Sequence, residues 1–269
     1  MVKYFGKEVI VMIFDTHAHY DDKAFDDDRA ELLFSMGEQG IEKIVNIGSS
    51  FEANEVTRKL TEQYAFIKAA FGIHPEFAAE LNEENFKRIE ELCRLKCCVA
   101  VGEIGLDYYW PEPGADVQKP WFERQMDLGK RIGKPMVIHS RDAAQDTYEM
   151  MKAADAGMVG GVVHCFSYGK EMARQFVDMG FFIGVGGVVT FKNGRKLKEV
   201  VEYLSLDCMV LETDCPYLAP VPYRGKRNSS LLLPHVIEAI SEIKGISREE
   251  VERVTWDNAH RLYRLSDTK

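Results

Sequence analysis

His17 and His19 sit two residues apart after Asp15-Thr16, at the close of an apolar strand-like run. Four more metal-ligating side chains, Glu103, His139, His164 and Asp214, end similar runs farther along the chain. Side chains alternate along a strand, so His17 and His19 point to one face and one ion could take both. Imidazoles and carboxylates together suit a pair of divalent ions, which would lower the pKa of water from about 16 to about 7. The chemistry this set points to is hydrolysis.

The flanking residues strengthen that reading. Glu103 lies inside Val101-Gly102-Glu103-Ile104-Gly105-Leu106-Asp107, where a buried carboxylate needs a cation or a metal. His139 and His164 each follow a purely aliphatic run, Met136-Val137-Ile138 and Gly161-Val162-Val163. Asp214 ends Met209-Val210-Leu211-Glu212-Thr213, placed to ligate and to take a proton from an attacking water. Asp15 shares the face of His17 as an orienting group or an extra ligand, and Glu212 shares that of Asp214 by period two. His235 and His260 fit no strand-end pattern and are read as structural.

The elements that must position these groups alternate along the chain. Strand candidates are Val9 to His17, Ile41 to Gly48, Phe66 to Gly72, Cys98 to Ile104, Pro135 to His139, Gly161 to Cys165, Phe181 to Val188 and Cys208 to Thr213. They are apolar throughout, as strands covered on both faces should be. Helical periodicity fills the gaps at Asp27 to Glu38, Ala53 to Gln63, Glu83 to Leu95, Trp121 to Ile132, Ala143 to Ala153, Glu171 to Met179 and Leu197 to Tyr203, and Leu231 to Leu265 reads as two or more closing helices. Eight such units make either an open doubly wound sheet or a (β/α)8 TIM barrel. The barrel is expected, because only closure brings the C-terminal ends of strands one, four, five, six and eight to one mouth.

A chain of 269 residues with 46% hydrophobic and 29% charged residues reads as one soluble globular domain, with Met1 to Val11 an extension ahead of Met12. With 34 basic against 43 acidic residues, net −9, it has no broad footprint for duplex DNA, although a local phosphate site remains compatible. The six cysteines show no Cys-x-x-Cys spacing, which argues against a zinc ribbon and for reduced thiols. The apolar run Val9 to Phe14 is too short to span a bilayer, so a cytoplasmic location without membrane or obligate protein partner is expected.

Taken in order, Asp15-Thr16-His17-Ala18-His19-Tyr20-Asp21-Asp22, Gly72-Ile73-His74-Pro75, Gly102-Glu103-Ile104-Gly105-Leu106-Asp107-Tyr108, Ile138-His139-Ser140-Arg141, His164-Cys165-Phe166-Ser167 and Glu212-Thr213-Asp214-Cys215-Pro216-Tyr217 resemble the signature segments of the TatD family of metal-dependent deoxyribonucleases. The likeness spans nearly the whole chain after Met12. It implies an amidohydrolase-type barrel whose Glu103 bridges two ions. His17, His19 and Asp214 would hold one ion, and His139 and His164 the other. Zinc is implied as the bound metal, with magnesium or manganese able to support activity, and Asp214 and Glu103 carry the catalysis.

The substrate implied is DNA, as single strands or frayed ends. Arg141 and the loop Tyr223-Arg224-Gly225-Lys226-Arg227-Asn228 would meet its phosphates, with His74 nearby, while Tyr108, Tyr109 and Trp110 either stack on a base or pack on the rim. The chain departs from the family at Glu76, where a second histidine is usual, and at Ser229-Ser230, where Glu-Pro is usual and a carboxylate near the mouth is thereby lost. Two rivals remain. The same ions would polarise the carbonyl of an amide or ester, and a barrel can also bind metal without catalysis.

Overall fold

The computed structural model describes residues 12–266. Residues 1–11, with the start of the first strand candidate and the expected extension, lie outside the described residues. Eight strands follow in order: β1 Ile13–Ala18, β2 Ile41–Ile47, β3 Ile67–Phe71, β4 Cys98–Asp107, β5 Met136–Arg141, β6 Gly161–Val163, β7 Phe181–Val185 and β8 Met209–Leu211. Each pairs in parallel with the next in sequence. The ring closes beyond β8, where Ala18 bridges Cys215 and the Asp214 amide donates to the His17 carbonyl at 2.9 Å.

Helices α1 Arg29–Ser35, α2 Phe51–Gln63, α3 Phe86–Cys93, α4 Ala115–Ile132, α5 Ala144–Ala153, α6 Lys170–Asp178 and α7 Arg195–Tyr203 make the crossovers. The closing pair is α8 Leu233–Lys244 and α9 Arg248–Tyr263. The barrel is therefore the one expected, and the differences lie at element ends. Helix α4 begins six residues before Trp121 and carries Pro120 within it, so the proline does not mark the start that its stiffness suggests. The strands expected to run to Val188 and Thr213 stop at Val185 and Leu211, and β4 runs on to Asp107.

Both faces of the strands are covered. Every residue of β1 and β4 is buried, the polar Asp15, Thr16, His17, Glu103 and Asp107 included. One face packs against the surrounding helices; the other joins Phe14, Val45, Ala100, Val137 and Val210 to Leu262 and Tyr263 of α9. The Tyr263 hydroxyl donates to the Thr16 carbonyl at 2.6 Å, tying α9 to β1 just below His17. Gly105 must be glycine: its φ is +150° and a Cβ there would lie 1.8 Å from the His139 carbonyl oxygen. That close approach lets β4 and β5 carry Glu103 and His139 side by side.

Candidate metal centre

The strand ends converge on Glu103, which is 3% exposed. Its two oxygens face different neighbours. Oε2 lies 3.6 Å from His17 Nε2 and 3.7 Å from His19 Nε2, while Asp214 Oδ1 is 3.6 Å from His17 Nε2 and 3.3 Å from His19 Nε2. The two imidazole nitrogens are themselves 3.0 Å apart. Oε1 lies 2.6 Å from His164 Nε2 and 2.9 Å from His139 Nδ1, and those nitrogens are 3.2 Å apart. A tetrahedral shell of nitrogen and oxygen ligands has edges of about 3.3–3.6 Å. The carboxylate–imidazole distances of the first set, 3.3–3.7 Å, lie near that spacing, while its two imidazole nitrogens are closer, and the second set is drawn tighter by hydrogen bonds to Glu103.

The six residues expected from the sequence thus come together as two donor sets sharing one carboxylate. His74 joins them from the loop after β3, with Nε2 3.7 Å from Glu103 Oε1 and its ring edge-on to His139 at 4.2 Å. It sits against the donors, in a group with Asp107 and His139 whose ligand atoms lie within 4.8 Å of one another. The Glu76 amide donates to His74 Nδ1 at 3.2 Å, and the Glu76 side chain is exposed.

The charges are mutually fitted. Burial pushes the Glu103 carboxyl up, but the charges of His164 and His74 and the bonds from His139 and His164 hold it well below the usual carboxylate range. Burial likewise raises Asp214, and the His19 bond and neighbouring imidazoles outweigh it downward. Burial depresses His139 and His19, yet Asp107 and Glu103 raise the first to about 9, and Asp214 and Glu103 the second to about 10. Burial, and then the charge of His164, takes His17 down to about 4. The raised imidazoles, His139 and His19, thus stand beside carboxylates in groups whose ligand atoms lie close enough together to hold a metal ion.

Asp107 carries a role the sequence reading left unassigned. Its Oδ2 lies 2.9 Å from His139 Nε2. A carboxylate only accepts, so Nε2 donates and Nδ1 is turned toward Glu103. The signal was available, since Glu103 and Asp107 are four residues apart on one strand and share a face. Asn46, buried in β2, was also missed. Its carbonyl oxygen accepts from the Tyr20 amide at 2.6 Å and its Nδ2 donates to Asp21 at 2.7 Å, fixing the turn that follows His19.

Several expectations need correcting. Asp15 is not among the donor groups: its carboxylate accepts from the Thr213 amide, the Thr213 and Ser230 hydroxyls and the His17 amide, so it ties β1 to the segment leading into Asp214. Ser230 therefore belongs to a buried polar network that also includes the Tyr20 hydroxyl. Arg227 is engaged by the Asp28 carboxylate at 2.7 and 2.5 Å and lies over the Phe25 ring, so it braces a loop. Its partner lies 199 residues away in the chain, and sequence spacing gives no hint of the pairing.

Other rim cations remain exposed. Arg141 stacks on Tyr109 at 3.7 Å, Arg224 lies over Phe191 at 4.5 Å, and Lys226 lies 5.9 Å from the Tyr223 ring. Tyr109 and Trp110 are half exposed, whereas Tyr108 turns inward to donate to Asp146. His235 rests on Tyr223 and His260 packs against Phe14 and Trp256, both away from the donor sets, as expected of structural histidines.

Fold and donor sets define a class: parallel eight-stranded barrels that gather histidines and carboxylates at the C-terminal ends of their strands. The family model for TatD related DNase matches residues 14–264, and the chain belongs to that family. It is 42% identical over 257 residues to the uncharacterized metal-dependent hydrolase YabD of Bacillus subtilis, covering 95% of this chain and 100% of that one. It is 29% identical over 260 residues to the 3'-5' ssDNA/RNA exonuclease TatD of Rahnella, covering 94% and 99%. The crystal structure of YJJV, a TatD homolog from Escherichia coli K12, superposes with a TM-score of 0.90 at 29% identity, covering 96% of this chain and 100% of that one.

Proposed function

We propose that the chain, acting as one domain, is a divalent-metal-dependent phosphodiesterase that shortens DNA from single-stranded or frayed ends. The observation that carries this reading is the division of Glu103: one oxygen faces His17, His19 and Asp214, the other His139 and His164. In this reading Glu103 bridges two ions, with zinc the metal best suited to the histidine-rich set and magnesium or manganese possible in its place. Bound there, the ions would supply an activated water and neutralise phosphate charge.

The chain's own residues do the rest. Asp214, the member of the first set with most access to solvent at 17% side-chain exposure, takes the proton of the attacking water. Arg141 offers a guanidinium to a non-bridging phosphate oxygen while stacked on Tyr109, and Tyr109 and Trp110 offer faces to an unpaired base. Arg224 and Lys226 extend this cationic rim. An acidic protein with so local a cationic rim suits a strand end better than long duplex. No helix among the described residues is long and apolar enough to cross a membrane, and a cytoplasmic location accords with a DNA substrate.

The test is cleavage of an end-labelled single-stranded oligodeoxynucleotide by wild type and Asp214→Asn, with magnesium, manganese or zinc and with a chelator control. Metal-dependent laddering from one end, lost in the variant, is expected. Turnover of amides or lactones by protein holding two metals, without any cut in DNA, would replace this reading with carbonyl hydrolysis.

A further inference from the structure

His17 and His164 come from opposite donor sets, yet their rings lie stacked, with centroids 4.0 Å apart and planes 8° apart. Both present Nε2 to Glu103, at 3.6 Å from Oε2 and 2.6 Å from Oε1. Their other nitrogens are buried, and neither His17 Nδ1 nor His164 Nδ1 has a partner among the described residues. A third buried side-chain atom in the same condition is Glu212 Oε2. The three residues form one cluster, in which a ring nitrogen of each histidine and a carboxylate oxygen lie within 4.8 Å of one another.

Orphaned buried polar atoms cost about 1–3 kcal/mol each, so three gathered in one place ask for a common explanation. The surroundings hold Glu212 in position. Its Oε1 accepts the Cys165 amide at 2.6 Å, which anchors the carboxyl beside the strand end bearing His164. The neighbouring strand leaves room for the other oxygen: a Cβ on Gly184 would lie 2.2 Å from Glu212 Oε2.

We propose that Glu212 is a positioning residue shared by the two halves of the metal pair, accepting the Nδ1–H of both His17 and His164, directly or through one water, and so keeping both Nε2 atoms bare toward the ions. A metal-ligating imidazole commonly donates its other N–H to a carboxylate or carbonyl. Asp107 meets that need for His139 and the Ile47 carbonyl meets it for His19. Glu212 completes the set for the two histidines otherwise left without an acceptor. The two parallel rings then lie between two buried glutamates, Glu103 at one nitrogen and Glu212 at the other. Because each ring belongs to a different donor set, Glu212 acts on both ions at once, whereas Asp107 acts on one.

The inference rests on the metal-pair reading, and the experiment separates their failures. Imidazole 15N spectra of histidine-labelled protein report which ring nitrogen carries the proton, with or without zinc, and competition with a chromophoric chelator gives the affinity of each zinc-binding step. Expected are two Nδ1–H signals that move in Glu212→Gln, and weakening of both binding steps by about 10–100-fold. Asp107→Ala should disturb one different ring and one step. Gly184→Ala, which presses on the carboxyl without deleting it, should move the same two signals and covers the case in which Glu212→Gln does not fold. Unmoved Nδ1–H signals with wild-type affinity at both steps, or zinc-loaded protein whose His17 and His164 carry their protons on Nε2, would overturn the role of Glu212. Wild-type protein that takes up no zinc would overturn the metal-pair reading, and the metal-free spectra would still show whether Nδ1–H signals of His17 and His164 move in Glu212→Gln.

Discussion

Asp107 Oδ2 stands 2.9 Å from Nε2 of His139, whose Nδ1 is 2.9 Å from Glu103 Oε1. The ring is held between two carboxylates, one fixing its tautomer and one placed to share an ion with it in the proposed metal pair. Asp107→Ala should fold normally and bind the ion on the His139 and His164 side about 10–100-fold more weakly, leaving the other step unchanged. Stepwise metal titration reads this, and equal weakening of both steps would refute the assignment.

Glu103→Ala removes the carboxylate common to both donor sets. Metal content and turnover should be lost together, as measured by elemental analysis of purified protein beside the oligonucleotide assay. A variant that retains two ions per chain would show that Glu103 does not bridge.

Asp214→Asn keeps the size of the side chain and removes its basicity. Folding should be intact by circular dichroism, and turnover should fall by about 10²–10⁴-fold, the contribution of a positioned general base. Unimpaired turnover would sink the proposed proton acceptor.

Arg227 and Asp28 should behave as a pair. Both are partly exposed, so the coupling in a double-mutant cycle should be small, about 0.2–1 kcal/mol in stability. Arg227→Ala and Asp28→Ala should raise KM alike and non-additively, because each frees the same loop. An Arg227→Ala effect on KM with none from Asp28→Ala would restore direct phosphate contact.

Metal-free protein should lose thermal stability as pH rises above about 6.5. Burial lifts Glu212 to about 8, and the carboxylate partners of His139 and His19 overcome burial to lift them to about 9 and about 10. Each folded-state value lies above the unfolded one, so the native state binds more protons in this window and stability falls as they leave. Zinc-loaded protein should show a flatter profile, since the ions replace those protons. Thermal melts of both forms from pH 6 to pH 10 make the comparison.

Much of this molecule was legible before any tertiary structure. Apolar runs without alternation could only be strands covered on both faces, and eight of them interleaved with helical periods left few layouts. His17, His19, Glu103, His139, His164 and Asp214 were visible because each charged or polar group ends an apolar run or, for Glu103, interrupts one, and such a placement is costly unless the group is paired or metal-bound. Residue type and strand period sufficed for that.

Folding decided how these groups are oriented and which are already engaged. Arg227 reads as a free cation in sequence and is bound to Asp28, 199 residues away. Ser230 reads as a rim position and is buried against Asp15, 215 residues away. Glu212 gains its place from Cys165 on a neighbouring strand end and from the space left at Gly184. Local sequence encodes the period of a strand and the cost of burying a charge. Hydrogen-bond partners brought together only by barrel closure depend on register and chain crossing, which no local pattern carries.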